Sequence, residues 1–113
     1  MGLQKIICIK AHGFRIIPKG TSIGKLKSKH KGFTAKWQKQ TKCVTGYQVQ
    51  YSTNKTFNRK TTKTVKKKSV TKLKVGNLTA KKKYYIRVRT YHTVMGEKYY
   101  SKWSKVKSVA TKK

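Results

Sequence analysis

The stretch from Leu78 to Tyr91 constrains the fold more than any other part of this chain. It reads Leu78-Thr79-Ala80-Lys81-Lys82-Lys83-Tyr84-Tyr85-Ile86-Arg87-Val88-Arg89-Thr90-Tyr91. From Tyr84 onward two residue sets interleave. Tyr84, Ile86, Val88 and Thr90 fall on one side; Tyr85, Arg87, Arg89 and Tyr91 fall on the other. Side chains alternate across an extended chain with period two, so this is the pattern of a half-buried β-strand rich in β-branched and aromatic residues. Leu78 stands ahead of Tyr84, with a lysine-rich corner between them.

The same alternation recurs along the chain. Pro18-Lys19-Gly20-Thr21 opens an element at a residue suited to a strand edge, since proline donates no ladder hydrogen bond. Ile23 and Leu26 mark the buried side of a first strand, and Lys27 to Lys31 read as a basic turn. Phe33, Ala35 and Trp37 alternate with Thr34 and Lys36 in a second strand. A polar loop from Gln38 to Thr45 follows and holds Cys43. In the third strand Tyr47, Val49 and Tyr51 face in, while Gln48 and Gln50 face out. Phe57 reads as a plug beneath the next loop. Thr61 to Lys67 alternate again, and Leu73 with Val75 define a strand that runs through Gly76-Asn77 to Leu78. Beyond Tyr91, Thr93 to Lys98 read as a hairpin around Gly96, and a last strand spans Ser104 to Thr111.

No segment carries apolar residues at helical spacing. Short strands recurring about every 8–12 residues with turns between them predict an all-β sandwich. Residues 1–17 do not share the pattern. Ile6, Ile7, Ile9, Phe14, Ile16 and Ile17, punctuated by Gly13 and Pro18, read as an N-terminal extension or linker.

The strand order over residues 18–113 resembles a fibronectin type III (immunoglobulin-like) β-sandwich of about seven antiparallel strands, A, B, C, C′, E, F and G. Trp37, Tyr47 to Tyr51, Leu78 and Tyr84 carry the resemblance. It implies that the Tyr84 hydroxyl bonds back to the corner's backbone and fixes the turn into strand F. An immunoglobulin domain fits less well, because strands B and F carry no facing cysteines. The phrases Gly46-Tyr47-Gln48-Val49-Gln50-Tyr51-Ser52 and Tyr84-Tyr85-Ile86-Arg87-Val88-Arg89 resemble, more narrowly, the lysine- and tyrosine-rich repeats of Gram-positive bacterial cell-surface proteins. That likeness implies an extracellular or cell-surface setting and adjacent domains on a longer chain. Ile6-Ile7-Cys8-Ile9 is too short for a signal-peptide core or a membrane helix, so a secreted location calls for a leader outside this chain.

The charge balance excludes whole classes of chemistry. Lys and Arg number 31, Asp and Glu together 1, for a net charge of +30. Glu97 is the sole side-chain carboxylate, so ion pairs do not hold this fold together and paired-carboxylate catalysis is ruled out. With no Asp there is no catalytic triad, and no glycine-rich phosphate loop is present. Disorder is not the answer either: 2 Trp, 7 Tyr and 3 Phe supply large areas to bury. So large a positive charge points to a polyanionic partner. Of the 31 cations 27 are Lys, a point charge, whereas planar two-pronged recognition of phosphates and bases favours Arg. Nucleic acid, an anionic membrane surface and an anionic cell-wall polymer all fit the charge, and charge alone ranks nucleic acid first; the resemblance to surface-protein repeats implies anionic cell-wall polymers or host glycans as partners.

Two constellations stand out. Tyr100-Ser101-Lys102-Trp103-Ser104 resembles the W-S-x-W-S motif of cytokine-receptor modules, with Tyr in the first aromatic position. The likeness implies stacking of Tyr100 and Trp103 on Arg87 and Arg89. Lys39, Lys42, Lys66, Lys67 and Lys68 are the candidate polyanion-binding residues. By the family's topology their loops share one end with the F–G hairpin, while Lys81 to Lys83 lie at the other. These runs also read as a solvated, mutually repulsive surface. His12, His30 and His92 are scattered and form no ligand set, and no cofactor is expected. Cys8 and Cys43 fit no metal spacing; a bridge between them is left open, with free thiols the preferred reading.

The sequence thus predicts a non-enzymatic extracellular module, a spacer or adhesion unit drawn to anionic wall polymers or glycans. The alternative is a small cytoplasmic nucleic-acid-binding protein, supported by Tyr85, Arg87, Arg89 and Tyr91 on one face.

Overall fold

The computed structural model describes residues 18–41 and 43–113. The extension read over residues 1–17, and Lys42, lie outside them. Eight strands form: β1 (Ile23–Lys29), β2 (Gly32–Trp37), β3 (Gly46–Ser52), β4 (Thr61–Val65), β5 (Lys72–Val75), β6 (Lys83–Val94), β7 (Glu97–Tyr100) and β8 (Lys107–Ala110). They make two antiparallel sheets, one ordered β1-β2-β5 and one ordered β4-β3-β6-β7 with β8 also on β6. This is the all-β sandwich the alternation predicts.

The core lies between the sheets, built from inward positions two apart. Phe33, Ala35 and Trp37 come from β2, Tyr47, Val49 and Tyr51 from β3, and Tyr84, Ile86 and Val88 from β6. Each fully buried apolar side chain contributes about 1.5–3 kcal/mol. Aromatic rings knit the layers. Phe33 meets Tyr51 edge-on at 5.5 Å, and Trp37 meets Tyr47 at 5.4 Å between ring centroids.

Buried hydroxyls fix the loops. Tyr47 donates to the Lys68 carbonyl at 2.7 Å and accepts from the Gln40 amide at 3.0 Å, tying two loops to one end of the core. The Tyr84 hydroxyl accepts from the Thr79 amide at 3.1 Å, across the corner that follows Leu78. Leu78 is half-buried against the core.

Three expectations change, and one holds. Lys27 to Lys29 belong to β1, and the turn is only His30-Lys31, with Lys31 at φ 46°. Thr93 to Lys98 form the expected hairpin around Gly96, with Val94 opposite Glu97. Only Met95 and Gly96 turn, both at positive φ, as the tight hairpin that matches strand twist requires. The last strand, read over Ser104 to Thr111, is confined to β8, because residues 101–106 leave the ladder; β7, paired with the end of β6 across the hairpin, is the additional strand that makes eight among the described residues. Finally, Cys43 is disulfide-bonded, which displaces the free-thiol reading, since sequence spacing carries no information on distance in space. Cys8 lies outside the described residues.

Candidate functional site

The segment between β7 and β8 builds an organised surface on β6. Ser101 and Ser104 replace the missing ladder. The Ser101 amide donates to the Thr90 carbonyl at 3.0 Å, and the Ser101 hydroxyl accepts from the Thr90 amide at 3.0 Å. Ser104 repeats both bonds on Val88, at 2.8 and 3.0 Å. One serine every three residues therefore satisfies one backbone pair every two on β6, and the residues between the serines project outward. Those residues include Trp103, with Tyr100 just ahead.

Their rings meet the outward side chains of β6. The Arg89 guanidinium lies 3.8 Å from the Tyr100 ring centroid and 4.3 Å from that of Trp103. Arg87 lies 4.4 Å from Trp103 and 4.1 Å from Phe57. The order is Phe57, Arg87, Trp103, Arg89, Tyr100, a column alternating ring and cation. Tyr100 continues it to Tyr91 at 6.4 Å, and Lys98 lies 5.5 Å from the Tyr91 ring. Each stacked pair contributes on the order of 0.5–2 kcal/mol.

The column is held from below by amides. Arg87 donates through Nε and Nη2 to Gln50 Oε1 at 2.9 and 2.7 Å, and Arg89 donates likewise to Gln48 Oε1 at 3.0 and 2.8 Å. Gln50 passes its own Nε2 hydrogen to Thr62 at 3.1 Å. Cross-strand register makes this possible, since Gln50 faces Arg87 and Gln48 faces Arg89. Partial burial pushes both guanidinium pKa values below the usual range; for Arg89 the adjacent Arg87 adds to this and Tyr100 opposes it. In a chain with one carboxylate, carbonyl dipoles and ring faces take the place of counter-ions.

Sequence reading pairs Arg87 and Arg89 with Tyr100 and Trp103, and the structure brings these four together. It misses Phe57 as the terminal ring and the glutamines as acceptors. The signal for the latter is the Gln48–Gln50 alternation opposite Arg89–Arg87. Tyr91, read as outward, is buried beneath Tyr100.

The loop lysines divide. Lys39, Lys66, Lys67 and Lys68 are exposed, and the two loops that carry them meet where Lys68 Nζ donates to the Thr41 carbonyl at 3.0 Å. His92 belongs to this end. Its Nδ1 lies 3.3 Å from Thr45 Oγ1, and burial followed by the charge of Lys68 lowers its pKa. Trp37 and Tyr47 lie beneath the same end, within the core. Among the described residues no group of three or more His, Cys, Asp or Glu is placed to hold a metal, and no helix is long and apolar enough to cross a membrane.

The comparisons agree with this architecture. No curated protein matches the chain. Among solved structures, the fibronectin type III domain of human contactin 1 superposes with a TM-score of 0.68 at 16% identity, covering 97% of this chain and 94% of that one. The FN1–FN3 domains of chicken CNTN1 give 0.66 at 21% identity, over 83% of this chain and 31% of that one. A β-1,2-glucanase from Parabacteroides distasonis gives 0.63 at 16% identity, over 86% of this chain and only 14% of the enzyme. At these identities the likeness concerns the fold. A model of the fibronectin type III domain matches residues 18–107, most of the sequence. The chain belongs to the fibronectin type III family.

Proposed function

We propose that this domain is a non-enzymatic spacer or adhesion module of a bacterial surface protein, with its lysines set against anionic wall polymers or glycans. The observation that carries the reading is the charge: +30 on a sandwich whose one acidic side chain is Glu97. Lysines of this number, with a single side-chain carboxylate in the sequence to oppose them, attract a polyanion by diffuse electrostatics and counterion release, an attraction that weakens with salt.

Chain geometry favours a spacer. Near its start the Lys19 carbonyl accepts from Thr90 Oγ1 at 2.7 Å, at the end where Gln38 pairs with Ser22. Lys112 pairs with Lys29 and Lys31, at the opposite end. The described chain thus enters at one end of the sandwich and leaves at the other, which strings modules head to tail.

The nucleic-acid alternative has less support. Single-strand binders stack bases on open rings. Of the residues that suggested it, Tyr91 is buried and Arg87 and Arg89 already stack on Phe57, Trp103 and Tyr100, which leaves the half-buried Tyr85 beside Lys83.

The test is binding of the purified domain to isolated Gram-positive cell walls and to DNA, in parallel across a salt series. Wall binding that persists at physiological salt while DNA binding collapses is the expected result. DNA or RNA binding that persists with base preference would overturn it.

A further inference from the structure

We infer that the outer face of the β1-β2-β5 sheet is a docking surface for a linear phosphodiester polymer that carries no bases. The inference deepens the proposed function and rests on it; it adds the surface and the chemistry recognised.

The face follows from register. Lys25, Lys27 and Lys29 alternate with inward residues on β1, Lys36 points outward from β2, and Lys72 and Lys74 from β5. Pairing aligns them in rows: Lys25 opposite Lys36 opposite Lys72, and Lys27 opposite Thr34 opposite Lys74. Like charges directly opposite each other destabilise a sheet. Three lysines in one cross-strand row, with no carboxylate on the sheet, therefore weaken the fold unless an anion lies across them. Glu97, the chain's one acid, is on β7 of the other sheet.

The surface is shaped as well as charged. An open depression of about 270 Å³ is lined by Lys27, Lys29, Lys36, Lys72 and Lys74, with Thr34 at its floor. Thr34 is only 9% exposed, since lysine stems flank it. A second depression of about 270 Å³, mostly apolar, shares Lys29, Thr34 and Lys74 and continues over the fully buried Phe33 to Val75 and Gly76. The two adjoin at Lys29, Thr34 and Lys74, so the lysine-lined part of the sheet is continuous with an apolar end at Val75.

The chemistry of the face selects its occupant. Charges repeat along each strand at two-residue steps, roughly 6.6 Å, and strands lie about 4.8 Å apart, a lattice suited to a chain of closely repeated single charges. All six cations are Lys, which meets phosphate as a point charge, without the planar fork that reads bases. No arginine or aromatic ring lies among the outward residues of these strands, so nothing there stacks a base.

Two charge-matched variants of the domain test this. One carries Lys27→Thr, Lys36→Thr and Lys74→Thr on the face; the other carries Lys39→Thr, Lys66→Thr and Lys67→Thr on the end loops. Each is titrated with labelled poly(glycerol phosphate) over a salt series, beside a sulfated glycan and an oligothymidylate of equal charge. The face variant is expected to bind poly(glycerol phosphate) at least tenfold more weakly, with a log–log salt slope shallower by about 2. The loop variant is expected to stay close to the parent. The face variant should melt at the same or a higher temperature, because opposed lysines have been removed, which separates lost binding from lost fold. Equal losses in both variants overturn the docking face but leave the proposed function standing. Tighter binding of the sulfated glycan or the oligothymidylate by the parent overturns the phosphodiester assignment. Failure of the parent domain to bind any of the three polyanions, and to bind cell walls, overturns both.

Discussion

At the scale of single residues, the molecule solves a problem its composition creates. Two arginines half-buried on β6 have no carboxylate to pair with, and a desolvated unpaired charge is costly. Gln48 and Gln50 supply carbonyl oxygens, and three rings supply negative faces. The account predicts direct coupling between Arg87 and Trp103. In a double-mutant cycle with Arg87→Gln and Trp103→Leu, stability should show a coupling of about 0.5–2 kcal/mol, whereas additive losses would contradict the stack. His92 gives a second prediction. Its folded pKa is lowered, by burial first and Lys68 second, so the unfolded chain takes up the proton first as pH falls. The stability due to neutral His92 is present above the ordinary value of 6.5 and is lost as pH drops through the lowered one. Thermal midpoints measured from pH 7 downward should therefore decline, and His92→Gln should flatten the decline. The arginine–aromatic pairing was legible in the sequence because a known motif spaces Tyr100 and Trp103. The glutamine acceptors were not, because their role depends on β3–β6 register, which no local pattern encodes.

At the scale of elements, the alternation of apolar and polar residues located β2, β3, β5 and the body of β6 almost to the residue. A strand whose one face is buried has no other register open to it. The failures have a common cause. Lys27 and Lys29 look like a basic turn when composition is read alone, yet they are the solvent side of a strand whose inner side holds Leu26. The last strand reads as starting at Ser104, yet Ser101 and Ser104 substitute their hydroxyls for ladder partners on β6, and β8 starts only at Lys107. That substitution is testable. Ser101→Ala leaves the Thr90 amide, at a fully buried residue, without its hydroxyl acceptor. The expected loss in a denaturant titration is about 1–3 kcal/mol. A neutral outcome would mean that β6 does not depend on the motif's hydroxyls. Gly46 shows a tighter constraint: a Cβ there would collide with the Val65 carbonyl and crowd the Tyr91 ring, so β3 can run between β4 and β6 only with glycine at its start. Gly46→Ala should destabilise by about 1–3 kcal/mol, read from the same titration.

At the scale of the whole molecule, the magnitude of the charge was plain from the sequence, but its distribution was not. The β1-β2-β5 lysine face depends on β2 pairing with β5, strands far apart in the chain, while the loop lysines looked more prominent only because they are consecutive. The +30 charge is uncompensated within the fold, which is held by apolar burial, backbone ladders and cation–ring stacking while its lysines repel one another. The measurement that tests it most directly is the thermal unfolding midpoint of the isolated domain as sodium chloride is raised from dilute to physiological concentration. Screening of the repulsion should raise the midpoint by several degrees, with about 4–8 °C corresponding to each kcal/mol relieved in a domain of this size. A midpoint that stays flat or falls would contradict the claim and mean that the cations are stabilised by attractions within the molecule.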